Sequence, residues 1–236
     1  MVTHLATSYP TAVSPSSPCK DLSTLPKKDP DAPPIQSEVV ASFLASCHKH
    51  NKTKSIVDVQ ANGGGAVLEG YDVFQRIFPR LEPFGASRMR STEVGRFLGN
   101  VFTENLVFGG EPDANNEFEA QTYMDVNGKP FANWSALDAP DTIYNDTFTT
   151  QTRFSTASLA SELPRNGSLA LGPQIFESKN IVLLYDGSCG STCAVFSEFM
   201  KSQGGVRSVV MGGRPQTGPM QGVAGSKGFG FSILAG

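Results

Sequence analysis

The sequence has few long apolar runs and little net charge. No apolar stretch in it reaches the roughly 18 residues that a membrane-spanning helix needs, so we expect no membrane contact. Its net charge of −3 over 236 residues gives no electrostatic reason to expect nucleic acid or an anionic lipid surface as a partner.

Targeting signals are also weak, and they leave the localisation open. The segment from Met1 to Lys20 lacks the apolar core of a secretory signal peptide. Glycosylation sequons nevertheless fit a secretory ancestry. They are Asn51-Lys-Thr, Asn133-Trp-Ser, Asn145-Asp-Thr and Asn166-Gly-Ser.

Residue patterns that bind metals or nucleotides are scarce. His48 and His50 are two apart, so on one helix they point in different directions and cannot share a metal ion; we expect both to be solvated. Cys189 and Cys193 are four apart, unlike the C-x-x-C of redox and zinc sites, and we expect them to pack as small apolar groups or to form a disulfide. No Gly-rich segment has the spacing of a phosphate-binding loop, and we predict no metal and no cofactor.

Two segments share a pattern of strand, turn and helix. The apolar run Ile181–Leu184 ends in a Gly-containing turn, and a helical pattern then begins at Ser191. The run Ile56–Val59 is followed by Asn62, three glycines and a helix start. Glycines let backbone amides approach a ligand, and helix N-termini offer unpaired N–H groups. A serine among such donors suits acyl transfer, although Ser191 as a simple helix N-cap is the plain alternative.

These segments resemble the tail-specific, or C-terminal-processing, serine peptidases. Asp58-Val-Gln-Ala-Asn62-Gly-Gly-Gly is similar to the family's D-L-R-x-N-x-G-G segment, and Asp186-Gly-Ser-Cys-Gly-Ser-Thr-Cys to its nucleophile segment, S-A-S-A-S-E. The similarity runs in order from about Ile35 to Gly230. It is closest to a fungal branch related to the chlamydial protease-like activity factor and to peptidases of the ustiloxin and phomopsin gene clusters.

The resemblance implies a serine peptidase that hydrolyses peptide bonds through an acyl-enzyme. Ser191 falls on the family's nucleophile, and the backbone N–H groups of Gly63 or Gly64, with that of Thr192, would hold the oxyanion. The implied fold is α/β, with the ClpP/crotonase-like layered core of the tail-specific proteases, incomplete in this chain. The implied partner is a peptide or protein substrate, and in the fungal branch a ribosomal precursor peptide of mycotoxin biosynthesis. The oligomeric state is left open.

The chain departs from the family at the general base. Well-known members use a downstream Lys, where this chain has the segment 216–219 without one, and Lys227 lies too far along. Other branches use an upstream His and a downstream Glu. The histidines here are His4, His48 and His50. A truncated or inactive pseudo-peptidase that binds peptides without cutting them is therefore the main alternative, and a hydrolase using Cys189 or Cys193 is a third.

The order of elements predicts one main domain. Residues 1–34 are rich in Ser, Thr and Pro and are predicted to be a disordered tail, followed by a peptidase-like α/β domain over 35–236 with a loop-rich insertion at about 108–178. We expect full burial of Ile56–Val59 and Ile181–Leu184, and a hairpin turn at Val126-Asn-Gly-Lys. The predicted helices are 37–50, 67–78, 94–105 and 191–203, and the predicted strands are 55–59, 88–91, 181–185 and 206–211. The inward face of the third helix is predicted to be Val94, Phe97, Leu98, Val101 and Phe102.

Overall fold

A computed structural model describes the backbone of residues 2–4 and the residues 36–104, 118–154 and 170–224. The chain forms two compact units, residues 1–83 with 163–236 (unit 1) and residues 84–162 (unit 2). Most of the tail predicted for residues 1–34 lies outside the described residues, but Val2–His4 forms a strand.

Eight strands and five α-helices lie within the described residues. The strands are β1 Val2–His4, β2 Ser55–Asp58, β3 Tyr123–Met124, β4 Asp141–Ile143, β5 Asp146–Phe148, β6 Arg153–Phe154, β7 Ile181–Tyr185 and β8 Arg207–Val210. The helices are α1 Gln36–Lys49, α2 Val67–Ile77, α3 Glu93–Glu104, α4 Trp134–Leu137 and α5 Thr192–Glu198, which continues as a π-helix over Phe199–Gln203.

Unit 1 is built on a parallel sheet with the order β1-β2-β7-β8. Parallel neighbours need crossover connections, so helices packed against the sheet are expected, and the predicted α/β class is confirmed. The aromatic residues of α2 recur along one face and contact the end of the α5 segment. The Tyr71 and Phe199 rings meet edge to face at 4.7 Å, and Phe74 lies 5.4 Å from Phe199. These rings form the centre of the unit 1 core.

Burial of the central strands alternates, so the expectation of full burial is wrong for one face. Ile181, Leu183 and Tyr185 are buried, and in register with them so is Val57. On the opposite face, Val182, Leu184 and Ile56 are only partly covered. Successive side chains of a strand point to opposite faces, so one face of this sheet carries the core and the other is less covered.

Unit 2 has its own buried cluster. Two short antiparallel pairs, β3 with β6 and β4 with β5, lie in this unit. The predicted hairpin turn is present, because the Gly128 N–H donates to the Asp125 carbonyl and Gly128 has a φ of 78°. The predicted strand at 88–91 is reduced to isolated bridges at Ser87 and Arg90. The buried cluster consists of Ala120, Tyr123, Phe131, Trp134 and Leu137.

Helix α3 forms where predicted, but only part of its predicted inward face is covered, namely Leu98, Val101 and Phe102, which are partly buried. Val94 is 68% exposed and Phe97 is 66% exposed, while Gly99 is the residue that lies directly against the Trp134 indole. A side chain at Gly99 would overlap that ring, so the helix approaches the cluster through its glycine. No helix in the described part of the chain is long and apolar enough to cross a membrane.

Candidate active site

The two Gly-containing turns lie side by side at the carboxyl ends of β2 and β7. These strands are parallel neighbours, with Asp58 in register with Leu184. Beyond the strands, the Ala61 N–H donates to the Asp186 carboxylate at 2.9 Å, and the Gly190 N–H donates to the Asn62 carbonyl at 3.1 Å. Carboxyl ends of parallel strands are where open α/β sheets bind ligands, and here these two hydrogen bonds join the two turns.

Ser191 occupies an unusual backbone conformation at the start of α5. Its φ is 47° and its ψ is −125°, and its side chain caps no helical N–H group. The structure therefore does not support the plain interpretation of Ser191 as a side-chain N-cap. The N–H groups of the second and third helical residues are bonded to backbone instead, since the Cys193 N–H donates to the Gly190 carbonyl and that of Ala194 to the Ser191 carbonyl. Ser191 is partly buried, and its hydroxyl does not cap the helix.

The Gly-rich turn contacts Ser191 through Gly64. A Cβ added to Gly64 would lie 2.5 Å from the Ser191 Cβ and 3.1 Å from its Oγ, and Gly64 has a φ of 114°. Both the close approach and the backbone angle require glycine at this position. Thr192 adds a further link, because its hydroxyl donates to the Gly65 carbonyl at 2.5 Å. The predicted site residues Ser191, Gly64 and Thr192 are therefore brought together.

The N–H groups of the turn are not equally available. The Gly64 N–H donates to the Asn62 side-chain oxygen at 3.0 Å, so the expectation that Gly64 could serve as an oxyanion donor conflicts with the structure. Within the described residues, no acceptor takes the N–H of Gly63 or that of Thr192. The Gly63 carbonyl lies near Gly190. Gly63 itself is exposed to solvent. Gly63 and Thr192 are the two predicted donors whose N–H groups stay uncommitted.

Asn62 and Asp186 are two organising residues to which the sequence analysis assigned no role. Asn62 is buried and holds the Gly-rich turn, while the carboxylate of Asp186 accepts from the N–H groups of both Ala61 and Ser188. Burial alone would raise the pKa of the Asp186 carboxyl, but the Ser188 and Ala61 N–H groups hold that pKa below its usual value. The available signal was the position of both residues in short Asx-type turns after apolar runs.

The two cysteines that flank Ser191 form a disulfide. Cys189 and Cys193 are bonded with a Cα–Cα distance of 5.3 Å, and both are buried. This selects the disulfide among the alternatives left open by the sequence. It also argues against a thiol nucleophile at either position, because neither sulfur can be a thiolate in this form. Cys47 is buried on α1 and takes part in no disulfide.

Of the His, Lys and Glu side chains among the described residues, Glu69 alone lines the cavity beside the site. A small cavity of about 30 Å³ next to the site is lined by Asn62, Glu69, Thr192 and Cys193, among others, and by no His or Lys of the described residues. Burial, and secondarily the charge of Asp72, raises the pKa of the Glu69 carboxyl.

The histidines and Lys227 were considered in the sequence analysis as possible bases, and they lie in different parts of the chain. His48 on α1 and His50 just after it are exposed, as expected. The backbone of His4 ends β1 in register with Asp58, at the sheet edge that carries both turns. Lys227 lies outside the described residues. No His, Cys, Asp and Glu cluster suited to a metal occurs within the described ranges.

Three curated fungal proteins match most of the chain. It is 31% identical over 215 residues to the peptidase S41 family protein ustP of Aspergillus flavus, which covers 84% of this chain and 43% of that protein. It is 34% identical over 203 residues to the peptidase S41 family proteins phomP1′ and phomP1 of Diaporthe leptostromiformis, covering 81% of this chain and 30% of each. The chain is a relative of the S41 peptidases. It spans less than half the length of these S41 relatives. No protein-family model matches it, and no solved structure matches it significantly.

Proposed function

We propose that this chain carries the nucleophile and oxyanion site of a serine peptidase. The observation that supports this most is Ser191, a non-glycine residue held at positive φ at a sharp strand-to-helix turn, with its side chain against Gly64. Such conformations cost about 1–3 kcal/mol and cluster at active sites. The S41 names of the relatives agree with this chemistry.

In the proposed reaction, Ser191 Oγ bonds to the carbonyl carbon of a peptide substrate. The Oγ proton passes to a base, and the carbonyl oxygen becomes an oxyanion that accepts from the N–H groups of Gly63 and Thr192. One such donor contributes about 3–4 kcal/mol in other serine proteases. The C–N bond then breaks, the amine leaves with the proton, and water hydrolyses the acyl-enzyme.

The identity of the base is left open. General-base assistance contributes about 10²–10⁴-fold, so without a base the Ser191-dependent reaction should be slower by that factor.

The test compares the full chain with its Ser191→Ala variant. The first readout is labelling by a fluorophosphonate, which phosphonylates activated serines, and the second is turnover of a peptide substrate. Labelling and turnover that both vanish in Ser191→Ala are the expected result. Identical behaviour of the two proteins would reject the proposed function.

A non-cleaving peptide-binding role is the second candidate, and the lack of His or Lys among the described residues that line the cavity beside the site favours it. In that case both proteins would bind peptide equally and cleave none.

The finer proposal on substrate is a ribosomal precursor peptide of fungal mycotoxin biosynthesis, supported by the resemblance to gene-cluster peptidases. The ClpP/crotonase-like core is likewise proposed, since the structure establishes only an α/β sheet.

A further inference from the structure

The backbone of Ser191 needs something to hold it. A serine at the start of a helix ordinarily has an extended backbone and uses its hydroxyl to cap the helix. Here φ is 47° and the hydroxyl caps nothing. A conformation of this kind persists only where the surrounding structure determines it.

The disulfide closes a ring around this residue. It joins Cys189 to Cys193, so the ring contains five residues with Ser191 at its centre. One end of the ring is fixed to a neighbouring segment, because the Cys189 carbonyl accepts from the Ala224 N–H at 2.7 Å and Cys189 forms a bridge with Val223. The other end is the buried second residue of α5.

Other contacts secure the neighbours of Ser191, and its own carbonyl accepts from the Ala194 N–H. The Gly190 N–H donates to Asn62, and the Thr192 hydroxyl donates to Gly65. Without the cross-link, Ser191 could relax to negative φ and cap α5, which would move its hydroxyl away from Gly64. Within the described residues, the disulfide ring is the one covalent cross-link that spans Ser191.

We propose that Cys189 and Cys193 are positioning residues, whose disulfide holds Ser191 in the conformation that presents its hydroxyl to the Gly63–Gly64 turn. The consequence of this positioning role is that the oxidised chain is the reactive form, and that consequence rests on the proposed function. Reduction adds two electrons and two protons to the S–S bond, supplied by an added dithiol that is itself oxidised to a disulfide, and yields two thiols.

The experiment compares the oxidised full chain, the same protein reduced by dithiothreitol, and the double variant Cys189→Ser with Cys193→Ser. The matched control is Cys47→Ala, which removes the buried thiol outside the ring. NMR scalar couplings of Ser191 report the sign of its φ, and fluorophosphonate labelling reports the hydroxyl. We expect positive φ in the oxidised chain and in the control. In the other two we expect negative φ and labelling slower by about 5- to 150-fold, the equivalent of about 1–3 kcal/mol. Reoxidation should restore both readouts.

Each remaining result decides one of the two proposals. Positive φ in every form overturns the positioning role. Loss of the β2 and β7 signals on reduction also overturns it, because the disulfide would then be a general stabiliser. If the oxidised chain is labelled no faster than Ser191→Ala, the proposed function fails, while the sign of φ still decides the role of the disulfide.

Discussion

At the scale of single residues, the site depends on how closely two turns approach each other. Gly64 and Ser191 are in direct contact, and a single added methyl group would overlap the serine side chain. Glycine at 64 also adopts a φ of 114°, which other residues rarely tolerate. The identity of this residue is thus determined by both backbone angle and available space.

Gly64→Ala should therefore disable the site as well as destabilise the fold. The matched control is Gly205→Ala, since Gly205 in the same unit has a φ of 65° and no atom within 4 Å of its added Cβ. Both variants incur the cost of positive φ, but only Gly64→Ala displaces Ser191, at an extra cost of about 1–3 kcal/mol. We expect Ser191 labelling to fall at least about tenfold in Gly64→Ala alone. Equal labelling of the two variants would show that the contact has no functional role.

The approach of Ser191 and Thr192 to the Gly-rich turn was predictable, because both turns follow parallel neighbouring strands whose carboxyl ends meet at one edge of the sheet. The bond from the Gly64 N–H to the Asn62 side chain spans two residues, as in an Asx-type turn, and the position of Asn62 was the signal for it. The Asp186 bond to Ala61 joins residues that are distant in sequence, and no local pattern reports such a bond.

At the scale of helices and strands, sequence periodicity predicted the bounds of the elements better than it predicted which of their side chains are buried. The segments of β2, β7, α1 and α2 were predicted within a residue or two of their observed bounds. The apolar face of α3 was also recognised, but Val94 and Phe97 are exposed. A hydrophobic pattern shows that a helix has an apolar side, and it does not show that a neighbouring element covers it.

Phe97→Ser should consequently have little effect on stability. Phe97 is 66% exposed, so its replacement should change the free energy of unfolding of unit 2 by no more than about 0.5 kcal/mol. The control in the same unit is Phe131→Ser, which should cost about 3 kcal/mol or more because Phe131 is buried in the cluster with Trp134. Urea unfolding followed by Trp fluorescence measures both. A comparable loss in Phe97→Ser would indicate that its ring is covered in solution.

At the scale of the whole molecule, the division into two units was beyond sequence analysis. Both units mix helices with strands, so the kind of secondary structure does not change at their boundary. The insertion predicted at about 108–178 overlaps unit 2, which begins earlier, at Phe84. Recognising the unit requires knowing that Trp134, Tyr123 and Phe131 share one cluster, which is a fact of tertiary packing.

Separate cores imply that the stability of each unit responds mainly to its own core. The single Trp of the chain, Trp134, lies in unit 2, so its fluorescence follows that unit, while amide exchange in β2 and β7 follows unit 1. Phe199→Ala removes the ring that packs on Tyr71 and Phe74, and should lower the protection of β2 and β7 by about 3–5 kcal/mol. The same variant should leave the Trp fluorescence transition within about 0.5 kcal/mol of the parent. Phe131→Ala should do the reverse. If both probes shift together in either variant, the two units unfold as one cooperative body, and the active-site turns depend on the core of unit 2 as well as on their own.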